Sequence, residues 1–227
     1  DHRDLHSFPT RRSSDLNLKK IISVTAAAAM VMTTVAPVSV FADDATFKIG
    51  GIGPTTGDNA IYGTAVKNGI QLAVDEINAA GGINGKQIEY KFEDDQSDAE
   101  KSVNAYNTLK DWGMQMLIGT TTSTPCTAVV EESHNDNLFQ FTPSATAVES
   151  IQYDNAFRMC FSDPNQGSAS ADYIAENKLA TKIGIIYDSS DVYSSGIEEK
   201  FEAEAKTQGL NIVSKAAFTA DSKTDFG

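Results

Sequence analysis

From residue 47 onward, short apolar runs alternate with longer stretches of helical spacing. Residues 47–52 (FKIGGI) form an apolar run that stops at Gly53-Pro54, the pattern of a strand and its turn. Over residues 61–80, Val66, Ile70, Ala73, Val74 and Ile77 recur every three or four positions, which predicts a helix. Gly81-Gly82-Ile83-Asn84-Gly85 ends it. Residues 87–92 alternate as a half-buried strand does, and residues 97–111 carry Ala99, Val103, Tyr106 and Leu109 on one helical face. Ser97 with Glu100 reads as a capping box. The rhythm continues with a strand at 114–118, a helix at 125–136, a strand at 138–141 and an extended segment at 156–161. A helix at 164–177, a buried strand at 182–187, a helix at 192–208 and a strand at 210–218 complete it.

Strand and helix in strict alternation mean parallel βαβ units with helices on both faces of the sheet, an α/β fold. The alternation pauses over the polar residues 142–155 and resumes after Ser162-Asp163-Pro164. Two lobes are therefore expected, lobe 1 over residues 43–161 and a partial lobe 2 over 162–227.

The first 42 residues read differently. Lys19 and Lys20 precede a mostly apolar stretch at 21–35, and Val40-Phe41-Ala42 puts small residues at the −3 and −1 positions of a cleavage site. Residues 16–42 thus read as a signal peptide, and the protein as exported to the periplasm or the extracellular cell envelope. Residues 1–15 (DHRDLHSFPTRRSSD) have no hydrophobic periodicity and read as a non-native leader.

Charge narrows the function. The 227 residues carry 18 Lys and Arg against 31 Asp and Glu, a formal charge of −13. Nucleic acid and anionic lipid are poor partners for such a surface. Past residue 42 there is one histidine, His134, in a polar helical stretch, so a Ser-His-Asp triad has little to build on. His and Cys are too few for a zinc site, and no metal or cofactor is expected. The run Glu93-Asp94-Asp95-Gln96-Ser97-Asp98 lacks the glycine and terminal Glu of an EF-hand and reads as a strand end and helix start. No dinucleotide or P-loop glycine pattern occurs; Gly51, Gly53 and Gly57 have the wrong spacing. Cys126 and Cys160 are compatible either with a disulfide or with two free thiols.

What remains are hydroxyl-rich loops at strand ends, where open parallel sheets bind ligands. Gly119-Thr120-Thr121-Thr122-Ser123-Thr124-Pro125 joins a strand to a helix, with Thr124 suited to the N-cap and Pro125 to the first helical position. Free N–H groups there, with hydroxyls beside them, can hold a small carboxylate without an arginine. Thr142-Pro143-Ser144-Ala145-Thr146 should lie on the adjacent strand end, facing the same crevice.

These residues also carry a resemblance. Gly57 to Gly63, the run Asp75-Glu76-Ile77-Asn78-Ala79-Ala80-Gly81-Gly82-Ile83-Asn84-Gly85, Glu93-Asp94-Asp95, Leu117-Ile118-Gly119, the 142–146 loop, Arg158, Gln166-Gly167 and Tyr193 stand in an order that resembles the solute-binding proteins of branched-chain amino acid ABC transporters. That resemblance implies a two-lobe periplasmic binding protein type I fold with Rossmann-like parallel sheets, the second lobe incomplete in a C-terminally truncated fragment. It implies a monomeric, non-catalytic receptor that captures an aliphatic amino acid and delivers it to ABC permease subunits. By position, Ser123 matches the hydroxyl that holds the ligand carboxylate. Ser144 matches a residue binding through its backbone, and Thr146 one binding through backbone and hydroxyl. Tyr193 would close over the ligand from the second lobe, and Tyr62 would line the side-chain pocket. The family's carboxylate partner for the ammonium lies further along the pattern than this chain extends. A sensor ectodomain of the same fold, and binding of an amide, a urea-like compound or an aromatic acid, are the alternatives.

Overall fold

The computed structural model describes residues 46–222. The leader and signal segment expected over residues 1–42 lie outside them, as do residues 223–227. The described chain runs β1 (Phe47–Gly53), α1 (Ala60–Ala79), β2 (Ile88–Asp94), α2 (Ala99–Trp112), β3 (Met116–Ile118), α3 (Ser123–Asn135), β4 (Phe139–Thr142) and β5 (Ala156–Arg158). It continues with α4 (Asp163–Glu176), β6 (Ile183–Asp188), α5 (Val192–Thr207) and β7 (Ile212–Phe218).

Strands β1 to β5 form one all-parallel sheet in the order β2-β1-β3-β4-β5, and β6 and β7 pair in parallel as a second sheet. Alternation along β1 feeds two cores on opposite faces. Ile49 packs with Ile88 and with Ile70 and Val74 of α1. Ile52 packs on the other side with Tyr106 and Leu109 of α2, Leu117, and Val129 of α3. Each such fully buried aliphatic side chain contributes about 1.5–3 kcal/mol. The expected layering of helices on both faces is therefore present in the first sheet.

Several local expectations are corrected. Helix α2 is capped by Asp98, whose carboxylate accepts from Lys101 N, not by Ser97. Ser97 instead takes a left-handed backbone, φ 60°, and its hydroxyl accepts from Asn59 and from the Thr122 hydroxyl. Helix α3 starts two residues earlier than its Pro125 suggests: Thr122 is the N-cap and Pro125 lies inside the first turn. The run at 182–187 is less buried than a continuous apolar strand implies, since Ile186 is 67% exposed. Parallel strands are usually covered on both faces; here α5 packs on β6, and α4 packs on α5. Those two helices pack closely because Gly167 has no side chain. A Cβ there would stand 2.5 Å from the carbonyl oxygen of Ile197.

Candidate functional site

The chain leaves β1 to form β2 on one side and then returns to form β3 on the other. The loops after β1 and β3 therefore diverge, and the gap between them is the position where open α/β sheets hold ligands. A cleft of about 700 Å³ opens there. Its first wall is built from Asn59 and Tyr62 at the start of α1, Thr121 to Pro125 at the start of α3, and Pro143, Ser144 and Thr146 after β4. Its second wall comes from Gln166 on α4 and from Asp188, Ser190, Asp191 and Tyr193 around the β6–α5 loop.

All five expected site residues, Tyr62, Ser123, Ser144, Thr146 and Tyr193, line this one cleft. Their exposures differ: Ser123 and Thr146 are 3% and 5% exposed, whereas Tyr62 and Tyr193 are 59% and 41%. Ser123 and Thr146 thus form the floor and the two rings the rim, while Ser144 is exposed.

The floor is braced by side-chain to backbone bonds between its loops. The Thr142 hydroxyl donates to Thr120 O at 2.7 Å and accepts from Ala145 N at 3.0 Å, tying the β3 loop to the β4 loop. Ser123 Oγ accepts from Thr146 N at 3.1 Å and from Ala147 N at 3.2 Å. Arg158, from β5, donates to the carbonyls of the same two residues at 2.7 and 2.9 Å. Gln140 is fully buried and donates to Gly119 O at 3.0 Å. The two hydroxyl loops are therefore one rigid unit.

This bracing sets the polarity of each group. A hydroxyl has two acceptor sites and one proton. Both acceptor sites of Ser123 are taken by backbone N–H groups, so its proton is left to donate. Helix α3 begins beside it with no side-chain cap bond at Thr122, which leaves first-turn N–H groups open to the cleft. Donor hydrogens and the positive end of a helix dipole thus converge at this point. Across the cleft the Gln166 amide donates to the Tyr193 hydroxyl at 3.2 Å. The Thr124 hydroxyl donates to Asp191, which also caps α5, so the two walls are bridged at 3.1 Å.

Charge in the cleft is one-sided. Among the described lining residues there is no Lys, Arg or His, while Asp58, Asp188 and Asp191 bring carboxylates. Asp163 lies behind Thr146, and burial raises its pKa; the Thr146 hydroxyl and Arg158 act in the opposite direction. Thr146 Oγ1 is close enough to influence that carboxyl, yet neither Thr146 Oγ1 nor Asp163 Oδ1 has a hydrogen-bond partner. Beneath the β1 and β2 loops, Asp95 is fully buried. Burial, reinforced by Asp94 and Asp98, raises its pKa to about 6 against the bond from Ser97 N.

Reading the strand ends of the first lobe alone misses Gln166 and the β6–α5 loop. The run Asp188-Ser189-Ser190-Asp191 follows a strand as the two Thr loops do, and the same rule applied to β6 would have found it. Gln166 carries no such signal, because a glutamine on a helix is ordinary surface. His134 is exposed, stacks on Tyr153 with ring centroids 4.0 Å apart, and does not line the cleft. Both cysteines are free: Cys126 is buried under the β3 loop, and Cys160 reaches the cleft edge.

Comparison with known proteins agrees with this geometry. The profile of the family described as "Periplasmic binding protein" matches residues 46–227. Leu/Ile/Val-binding protein homolog 3 of Brucella melitensis is 31% identical over 210 residues, covering 92% of this chain and 55% of the relative. The leucine-, isoleucine-, valine-, threonine- and alanine-binding protein of Pseudomonas aeruginosa is 32% identical over 187 residues, covering 82% of this chain and 49% of the relative. Among solved structures, the branched-chain amino acid transporter substrate-binding protein LivJ from Streptococcus pneumoniae, in complex with isoleucine, superposes with a TM-score of 0.74 at 35% identity. That match covers 80% of this chain and 52% of LivJ. The chain spans about half the length of the relatives it matches. With an all-parallel sheet, a cleft at its switch point and a family profile over residues 46–227, the chain belongs to the periplasmic binding protein family, a family of binding proteins rather than enzymes.

Proposed function

We propose that this chain captures a small amino acid, branched-chain or aliphatic, for an ABC importer. The observation that carries the reading is the state of Ser123. Its oxygen is saturated by Thr146 N and Ala147 N, so its proton is aimed at an acceptor, beside the open N–H groups of α3. A ligand carboxylate fits such a donor set without any cationic side chain. Neutral dipoles held by a rigid scaffold replace its water without reorganising. Ser144 would contribute its backbone to the same end of the ligand. The hydroxyl of Thr146, buried and without a partner, suits the ammonium end. Tyr62 and Tyr193, with their exposed rings, would line and cover the side chain. The Leu/Ile/Val-binding protein homolog 3 of Brucella, the leucine-, isoleucine-, valine-, threonine- and alanine-binding protein of Pseudomonas, and the isoleucine complex of Streptococcus LivJ support the same class. Family membership implies an extracytoplasmic location, in keeping with the signal segment expected over residues 16–42. Delivery would then be to membrane permease subunits.

Calorimetric titration of the protein with leucine, isoleucine and valine tests the proposal. Saturable one-site binding of at least one of the three is expected. Heats indistinguishable from dilution for all three, with benzoate or urea binding instead, would move the protein to another ligand class.

A further inference from the structure

Three polar oxygens near the cleft have no hydrogen-bond partner although they are buried: Thr146 Oγ1, Asp163 Oδ1 and Gln166 Oε1. Buried oxygens without partners are uncommon, and each calls for an explanation. Thr146 and Asp163 are neighbours, since Asp163 N donates to Thr146 O at 3.0 Å. Gln166 lies on the same helix one turn onward, in α4, and lines the cleft together with Thr146. Its nitrogen is already used, donating to the Tyr193 hydroxyl, so the oxygen is the function left over. The helix that carries it is locked against α5 at Gly167, where even a methyl group would meet backbone.

The polarity differs from that at Ser123. There donors converge; here Gln166 Oε1 is an acceptor without a donor, on the helix that also carries Asp163. A zwitterion has the matching pair of poles, a carboxylate that only accepts and an ammonium with three N–H donors.

We propose that Gln166 is a specificity-determining residue that reads the ligand's ammonium through its side-chain oxygen, alongside the Thr146 hydroxyl and with Asp163 behind them. This deepens the amino-acid reading above and rests on it. The same amide sets the direction of the Tyr193 hydroxyl. Tyr193 accepts from Gln166 Nε2, so its own proton is left to point at the ligand or at water. Gln166 thereby couples recognition of the ammonium to the second wall. The arrangement also selects by charge: a solute with a carboxylate and no ammonium leaves Gln166 Oε1 without a donor.

The test pairs two ligands with two variants. Leucine and 4-methylpentanoate share the carboxylate and the branched tail, and only leucine has the ammonium. In the unmodified protein leucine should bind far more tightly. Gln166→Leu removes both amide functions and should weaken leucine by about 10- to 150-fold, the range for a hydrogen bond to a charged group. The affinity for 4-methylpentanoate should fall much less, so the ratio between the two ligands collapses. Gln166→Glu keeps an acceptor at that position and should preserve the preference for leucine. A matching melting temperature for each variant shows that folding is intact. An equal loss for both ligands in Gln166→Leu would mean that Gln166 acts only through Tyr193 or the fold, and would overturn the inference. An unchanged leucine affinity would overturn it as well. If the unmodified protein binds neither ligand, nor isoleucine or valine, the amino-acid reading itself falls and takes this inference with it.

Discussion

Replacing Ser123 by alanine should affect stability and binding together, and the structure gives the size of each effect. The side chain is 3% exposed, and its oxygen is the acceptor for Thr146 N and Ala147 N at 3.1 and 3.2 Å. Alanine removes that acceptor and leaves two N–H groups in a site that water enters poorly. A buried donor left unsatisfied costs about 1–3 kcal/mol, so two that shared one oxygen should cost about 2–4 kcal/mol together. For a domain of this size that lowers Tm by about 4–16 °C. The ligand loses in addition a donor to its carboxylate, worth about 1.5–3 kcal/mol, or roughly 10- to 150-fold in Kd. Thr146→Ala provides the contrast. Its hydroxyl has no partner in the ligand-free protein, so its removal should change stability by no more than about 1 kcal/mol. Binding should still weaken by about 1–3 kcal/mol. Scanning calorimetry without ligand, followed by titration with the best amino acid, separates the two outcomes. If Ser123→Ala leaves Tm and affinity at their original values, the assignment of a saturated, donating hydroxyl at the α3 start is wrong.

Two further outcomes follow from single residues. Asp95, with its pKa raised to about 6, binds its proton more tightly folded than unfolded, where the value is about 3.9. Its contribution is therefore full below about pH 4 and is lost as pH rises through 6. Asp95→Asn should flatten this part of the stability profile, with a gain at pH 7 of at most about 3 kcal/mol; urea denaturation at pH 4 and pH 7 measures it, and identical pH dependence in both proteins would contradict the burial argument. Gly167→Ala puts a methyl group 2.5 Å from Ile197 O and 2.8 Å from Phe201 N, so α4 and α5 must separate. A loss of about 1–3 kcal/mol is expected in the same denaturation assay, and a neutral result would show that the helix pair is loosely packed.

Much of the framework was legible in the chain. Of the stripe expected on α1, Ile70 and Val74 are buried and Val66 is half-buried, whereas Ala73 and Ile77 are exposed; the run at Phe47 to Ile52 is the interior strand β1, between β2 and β3. The hydroxyl loops at 119–125 and 142–146 could be assigned to one crevice because parallel strands put their carboxyl ends on one side of a sheet. Helix boundaries were less legible. Both Ser97 and Asp98 are good caps by type, and the choice fell to Asp98 because the Ser97 hydroxyl is engaged by Asn59 and Thr122 from other loops. Thr124 lost the cap position of α3 in the same way, to a turn whose geometry is held by Ser123 and the 146–147 backbone.

The sequence by itself determined the order of strands and helices, the acidity of the chain and the stock of hydroxyls at the strand ends. Each of these depends on neighbours a few residues away, or on composition alone. Tertiary structure decided which way each polar group points. Ser123 became a donor only because two N–H groups, 23 and 24 residues along the chain, occupy its oxygen. Gln166 kept an unpartnered oxygen only because Tyr193, 27 residues away, took its nitrogen. A hydrogen bond uses up a donor or an acceptor wherever the partner comes from, and partners that distant leave no periodicity for a local pattern to record.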